Sequence, residues 1–179
     1  MSKTNTVKIL VIVLILGGAI LLAWRLQAPR PVAVGERAPD FTLPALAQGS
    51  LSLHDFGRHV VVLNFWATWC PPCVQETPSL EKFAEQMRAQ GVEVVSVSVD
   101  QDAATLAAFA AQQHLSFPIL RDPDQAIANH YGTFKFPESY IIDQNGRVAD
   151  KLIGAADWQD PRLIAFVQEL AGKQGGSKQ

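Results

Sequence analysis

Cysteine and methionine are nearly absent from this chain: Cys70 and Cys73 are the only cysteines, and Met1 and Met87 the only methionines, in 179 residues. No cysteine directly follows the apolar N-terminal run, so a lipoprotein anchor is not expected. His54, His59, His114 and His130 show no paired ligand spacing, so two thiols alone would have to carry any zinc site, and zinc needs four ligands. Copper delivery through both thiolates would lack the methionine or histidine cluster that usually accompanies it. There is no basic cluster and the net charge is -2, so nucleic-acid binding has no electrostatic footprint. Internal repeats and long biased tracts are missing too, and the length suits one sizeable domain rather than two.

What the chain does have is Trp69-Cys70-Pro71-Pro72-Cys73, placed where a strand hands over to a helix. Two thiols at this spacing close and reopen a small ring at little chain-entropy cost, which suits a dithiol/disulfide exchange couple. As a structural crosslink the same ring would restrain the unfolded chain little. Cys70 at the helix N-terminus meets the positive end of the dipole and is the expected nucleophile; Cys73, one turn in, is the expected resolving thiol. Pro71 and Pro72 carry no N–H, which removes two donors to a Cys70 thiolate and points to a reducing rather than strongly oxidising couple.

Residues 9–26 read as a membrane span. Ile9 to Trp24 is unbroken apolar sequence covering about 24 Å, and Val7 and Leu26 extend it toward the ~30 Å of a hydrocarbon core. Lys8 and Arg25 can snorkel and Trp24 suits an interface. There is no polar face for a core helix and no good small-x-small cleavage site, so a retained signal-anchor is expected rather than a cleaved signal peptide. Residues 1–8 then form a cytoplasmic stub, 27–34 a proline-stiffened spacer, 35–173 a folded domain outside the cytoplasm, and 174–179 a fraying tail.

Beyond the spacer, strand and helix patterns alternate. Phe41 to Leu43 and Ser50 to Leu53 suggest a hairpin around Gln48-Gly49. His59 to Ala67 and Val92 to Val99 read as buried strands and Phe117 to Leu120 as a short one. Helices are expected over Pro71 to Gln90, Asp102 to Gln113, Asp124 to Tyr131 and Asp160 to Ala171. Ser139 to Ile142 and Arg147 to Ile153 flank a turn at Gln144-Asn145-Gly146. The fold class is therefore α/β with a mixed central sheet.

Glu76 continues the apolar line of Leu80, Phe83 and Met87 on the cysteine helix and follows Cys73 by three residues. A carboxyl on that side should have a raised pKa and could exchange a proton with Cys73; the alternative is a first-turn glutamate favoured by the dipole. Pro78 should kink the helix. Phe136-Pro137 precedes the Ser139 strand, and a base rate of about 5–6% means that sequence alone does not make this bond cis. Trp66 reads as core, Trp69 as cover for the disulfide edge, and the histidines as loop or surface residues.

Phe65-Trp66-Ala67-Thr68-Trp69-Cys70-Pro71-Pro72-Cys73 resembles the active-site stretch of the thioredoxin superfamily, and Val74-Gln75-Glu76-Thr77-Pro78 narrows this to the TlpA/ResA type within its redoxin-like branch. Ala38-Pro39-Asp40-Phe41 and Phe136-Pro137-Glu138-Ser139-Tyr140-Ile141-Ile142-Asp143 match that type's entry hairpin and proline loop. The resemblance implies a membrane-anchored thiol-disulfide oxidoreductase with a thioredoxin-like fold and a helix-strand insertion, here Asp102 to Leu120. Its catalytic residues would be Cys70, Cys73 and Glu76, with Trp69, Pro71, Pro72, Phe136 and Pro137 lining the substrate groove, and Pro137 would be cis. No cofactor beyond the redox disulfide and no metal is implied. The implied partners are a disulfide-bearing protein such as an apocytochrome c and a transmembrane thiol reductant, outside the cytoplasm. Classical cytoplasmic thioredoxins carry a buried aspartate where this chain has Asn64, so the acid role would pass to Glu76. Rival expectations are a disulfide-forming oxidase, a peroxidase, whose Pro-x-x-x-Thr/Ser-x-x-Cys setting is absent, and the copper module.

Overall fold

The computed structural model describes Lys8 and residues 12–19, 30–47 and 49–172. The chain divides into two units, 1–30 and 31–179. In the first, residues 12–19 are helical and Ile12, Val13, Leu14, Ile15 and Leu16 are exposed. Among the described residues no helix is long and apolar enough to cross a membrane. Most of the expected span, residues 9–11 and 20–26, lies outside the described residues, as do Gln48 and the tail from 173.

The second unit starts within the expected spacer. Val32 is buried and its N–H meets the Tyr131 carbonyl at 2.9 Å, so the chain is folded from Pro31 onward. A two-stranded antiparallel hairpin, β1 (Thr42–Pro44) and β2 (Ser50–Ser52), precedes the main sheet. The five-stranded sheet has the order β5-β4-β3-β6-β7, with β3 (Val60–Trp66) at its centre. β4 (Val92–Ser98) and β5 (Ile119–Arg121) run parallel to β3, β6 (Glu138–Ile142) is antiparallel to it, and β7 (Val148–Ile153) is antiparallel to β6. Every residue of β3 is buried, the consequence of cover on both faces, and explains its near-continuous apolar sequence.

Helix α1 (Pro71–Arg88) joins β3 to β4 and buries Cys73, Glu76, Thr77, Leu80, Phe83, Ala84 and Met87, one stripe at helical spacing. It ends two residues before the expected Gln90, because the N–H groups of Gln90 and Gly91 turn back to the carbonyls of Met87 and Arg88, tightening the last turn. The helix runs through Pro78 without a break in its assignment. Asp102 is a cap rather than a helical residue: its carboxylate accepts from the Ala104 and Thr105 N–H groups at the start of α2 (Ala103–Gln112). α3 (Ala126–Tyr131) is closed by Gly132, whose φ of +71° and whose close approach to the Pro31 backbone, where a Cβ would stand, leave room only for glycine. α4 (Pro161–Gly172) completes the fold.

The two faces of the sheet carry different chemistry. Strand alternation sends Asn64 and Ser139 to the α1 face and Phe65, Glu138 and Tyr140 to the other. On that second face Phe65, Tyr131 and Tyr140 pack with centroids 5.1 to 6.0 Å apart. Trp158, fully buried against Phe83 at 5.2 Å, anchors the loop between β7 and α4 on α1 and was not marked by any sequence pattern.

Candidate active site around the Cys70–Cys73 disulfide

β3 ends at Trp66, and a turn closed by the Cys70 N–H on the Ala67 carbonyl (3.3 Å) delivers Cys70 to the N-cap of α1. The two cysteines form a disulfide with Cα atoms 5.3 Å apart. Pro71 and Pro72 fill the first two helical positions, so the first amide available is that of Cys73, which donates to the Cys70 Sγ at 3.3 Å. Both cysteines are closed off in the oxidised pair: Cys70 is 5% exposed and Cys73 1%, a narrower difference than the expected nucleophile and resolving roles suggest. Pro71 and Pro72 are exposed beside them.

Register brings the proline loop to the same end of the sheet. Phe65 pairs with Glu138, so the residues preceding β6 lie beside the end of β3. The Phe136-Pro137 bond is cis. The Phe136 ring stands edge-on to Trp69, with centroids 6.1 Å apart, and Trp69 is 62% exposed. Trp69, Pro71 and Pro72 are exposed beside the disulfide, half-buried Phe136 meets Trp69, and Pro137 itself is buried behind them.

Glu76, one turn beyond Cys73, is buried, and each of its oxygens accepts a hydrogen bond. Asn64 Nδ2 donates to Oε1 at 2.9 Å, and the Ala156 N–H donates to Oε2 at 2.9 Å. Burial raises its pKa above the ordinary glutamate value, and these two neutral donors, with the dipole of the Trp158 indole nearby, offset only part of that. The indole Nε1 itself makes no hydrogen bond. A shallow cleft lined by Gln75, Glu76, Ser79, Ala155, Ala156 and Asp157 opens beside the carboxyl. Asn64 is therefore more than a missing acid. Its amide also donates to Ser139 Oγ at 2.9 Å, bridging Glu76 to the strand that follows Pro137.

A second buried carboxyl was noted in the sequence only as the residue after Pro137. Glu138 Oε1 accepts from Tyr140 Oη (2.6 Å) and Thr133 Oγ1 (3.3 Å) and pairs with Lys151 Nζ (2.7 Å), which also lies over the Tyr140 ring at 4.8 Å. Its Oε2 is buried without a hydrogen-bond partner. The available signal was the β6–β7 hairpin, whose register places Lys151 opposite Tyr140. Among the described residues no group of three or more histidine, cysteine or carboxylate side chains could hold a metal ion.

Residues 34–151 match the AhpC/TSA family. The thiol-disulfide oxidoreductase ResA of Bacillus thuringiensis (strain Al Hakam) is 32% identical over 157 residues, covering 86% of this chain and 91% of that protein. A Chlorobium tepidum protein assigned as a thiol:disulfide interchange protein DsbE superposes with a TM-score of 0.71 at 32% identity, over 76% of this chain and 98% of its own. A secreted disulfide oxidoreductase of Mycobacterium tuberculosis, homologous to DsbE of E. coli, gives a TM-score of 0.65 at 25% identity, over 73% of this chain and 96% of its own. The sheet order, the helices and these superpositions make the fold thioredoxin-like.

Proposed function

The chain belongs to the AhpC/TSA family and is a ResA-type thiol-disulfide oxidoreductase, and on that premise we propose that it reduces protein disulfides outside the cytoplasm through Cys70 and Cys73. The observation that carries this reading is the cysteine pair at the head of α1 with Glu76 buried one turn behind it and, among the described residues, paired with no cation.

In the reduced protein the Cys70 thiolate attacks one sulfur of the substrate disulfide. A mixed disulfide forms and the first substrate thiolate leaves. Ionised Glu76 takes the proton of Cys73, whose thiolate then attacks the Cys70 sulfur. The Cys70–Cys73 bond closes, the second substrate thiolate leaves, and two electrons have passed to the substrate. Trp69, Pro71 and Pro72, with Phe136, form the apolar surface against which the substrate segment lies, and Pro137 shapes the groove from beneath. A transmembrane thiol reductant returns the pair to the dithiol.

An apocytochrome c before haem attachment is the substrate this reading favours. The apolar run over residues 9–26 would hold the domain at the outer face of the membrane, and the secreted M. tuberculosis relative supports an extracytoplasmic setting. The deciding measurement is the reduction potential of the Cys70–Cys73 couple, equilibrated against glutathione and thioredoxin. A value below about -230 mV is expected for a reductase; one near about -120 mV would make the protein a disulfide donor and overturn the proposal.

A further inference from the structure

Asp100 plays no part in the exchange chemistry above, yet it is bonded directly to the turn that presents Cys70. It lies just beyond β4 and is buried at 4% exposure. Both carboxylate oxygens are used: Oδ2 accepts from the Thr68 N–H (2.9 Å) and Ser98 Oγ (2.7 Å), and Oδ1 accepts from Thr68 Oγ1 (2.6 Å). The Asp100 N–H returns a bond to Ser98 Oγ at 3.0 Å, which locks the carboxylate to its own strand. Among the described residues no cation pairs with it.

A buried carboxylate held only by neutral donors is an expensive way to fill a core position, and the fold needs nothing so polar merely to end a strand. What it grips is specific. Thr68 and Trp69 are the two central residues of the turn whose ends are Ala67 and Cys70. Holding Thr68 by main chain and side chain together removes its freedom to rotate, and the turn is short enough that Trp69 and the Cys70 Sγ follow. The Val99 N–H to Trp66 carbonyl bond (3.0 Å) ties the same two strand ends together one step earlier. From Thr68 onward, among the described residues, it is the Asp100 side chain that reaches across from just beyond β4 to the turn.

We propose that Asp100 is a positioning residue for the redox pair: by clamping Thr68 it sets where Trp69 and the Cys70 sulfur stand at the head of α1. The inference rests on the reading of Cys70 as the attacking thiol. Loss of the clamp lets the turn shift, weakens the Cys73 N–H to Cys70 Sγ contact, and leaves the thiolate less stabilised.

The test uses the full chain with Thr68→Val, Thr68→Ser, Asp100→Ala and Cys70→Ser. Two quantities are read on the folded protein: turnover of a disulfide-bonded protein substrate, and the pH midpoint of Cys70 alkylation by iodoacetamide. Thr68→Val, which keeps the shape and loses only the hydroxyl bond, should lower kcat/KM about tenfold and move the alkylation midpoint to higher pH. Asp100→Ala should do both more strongly, and Thr68→Ser should stay within about twofold of the native protein because it keeps the bonded hydroxyl. A Thr68→Val protein with lowered Tm but native turnover and native alkylation midpoint would reduce the clamp to a stabilising contact and overturn the proposal. Thr68→Ser behaving like Thr68→Val would overturn it as well. Cys70→Ser separates the two levels: if it retains turnover, the exchange reading itself fails, whereas an inactive Cys70→Ser beside native-like Thr68→Val and Asp100→Ala sinks the positioning role alone.

Discussion

Glu76 and Glu138 are buried on opposite faces of the sheet at the same end of β3, and their surroundings differ in one physical respect. Glu76 is held by an amide and a backbone N–H, both neutral, and borders a cleft. Glu138 is held by the Lys151 ammonium and the Tyr140 hydroxyl, crowded onto one oxygen. Neutral donors leave the cost of burying a charge partly unmet, so the Glu76 pKa is raised. The Lys151 ammonium gives the other carboxyl a counter-charge in direct contact, and Glu138 serves as a strut behind Pro137. On the proposed mechanism, what a carboxyl beside the redox pair is bonded to, and not nearness alone, suits it to carry a proton.

The comparison can be broken most forcefully at Lys151. Replacing it with methionine leaves Glu138 buried without its counter-charge, and the expected loss is about 3 kcal/mol in urea unfolding. Adding Glu138→Gln should recover part of this, since the stranded charge is then gone. A loss under about 1 kcal/mol for the single variant would mean that the Lys151 contact contributes little to holding Glu138, and the contrast with Glu76 would vanish.

Glu76→Gln probes the other side. Protein-substrate turnover should fall roughly 10²-fold, with stability changed far less than by Lys151→Met. The pH profile gives the sign. Glu76 must be ionised to take the Cys73 proton, and burial raises its pKa, so the native rate should climb with pH through a midpoint above the ordinary 4.5. That limb should disappear in Glu76→Gln. For stability the same shift acts in reverse: the contribution of Glu76 is complete below its ordinary pKa and is lost as pH rises through the raised one. Native turnover in Glu76→Gln would remove it from the mechanism.

The smallest effect sharpens the Glu138 side. Burial raises the pKa of Tyr131 and of Tyr140, and bonds to Glu138 and Tyr140 raise that of Lys151 despite its burial. Stability contributed by these groups is complete below their unfolded values, near pH 10 for the tyrosines, and is lost as pH climbs through the folded values. Tyr140→Phe should cost about 1 kcal/mol at neutral pH and flatten the alkaline decline, which unfolding midpoints at pH 8 and pH 11 would show. An alkaline slope unchanged by Tyr140→Phe would place the loss elsewhere.

The chain by itself determined what rests on local spacing. Cys70 and Cys73 at a strand-to-helix junction, the apolar stripe that includes Glu76, the central strand and the hairpin at Asn145-Gly146 all follow from short-range periodicity and turn chemistry, and the structure holds each of them. Helix α1 ran two residues short of its expected end and Asp102 became a cap because terminal hydrogen bonding, which periodicity does not encode, decides where a helix stops. Only the tertiary structure decided which partner each polar group meets. Asn64 joins Ser139 across 75 residues, Ala156 reaches Glu76 across 80, and Asp100 reaches Thr68 across 32. Such bonds leave no trace in a local window, because sheet register and helix packing bring the two ends together. The same holds for the cis bond before Pro137 and for the burial of Trp158, each set by the neighbours the fold supplies.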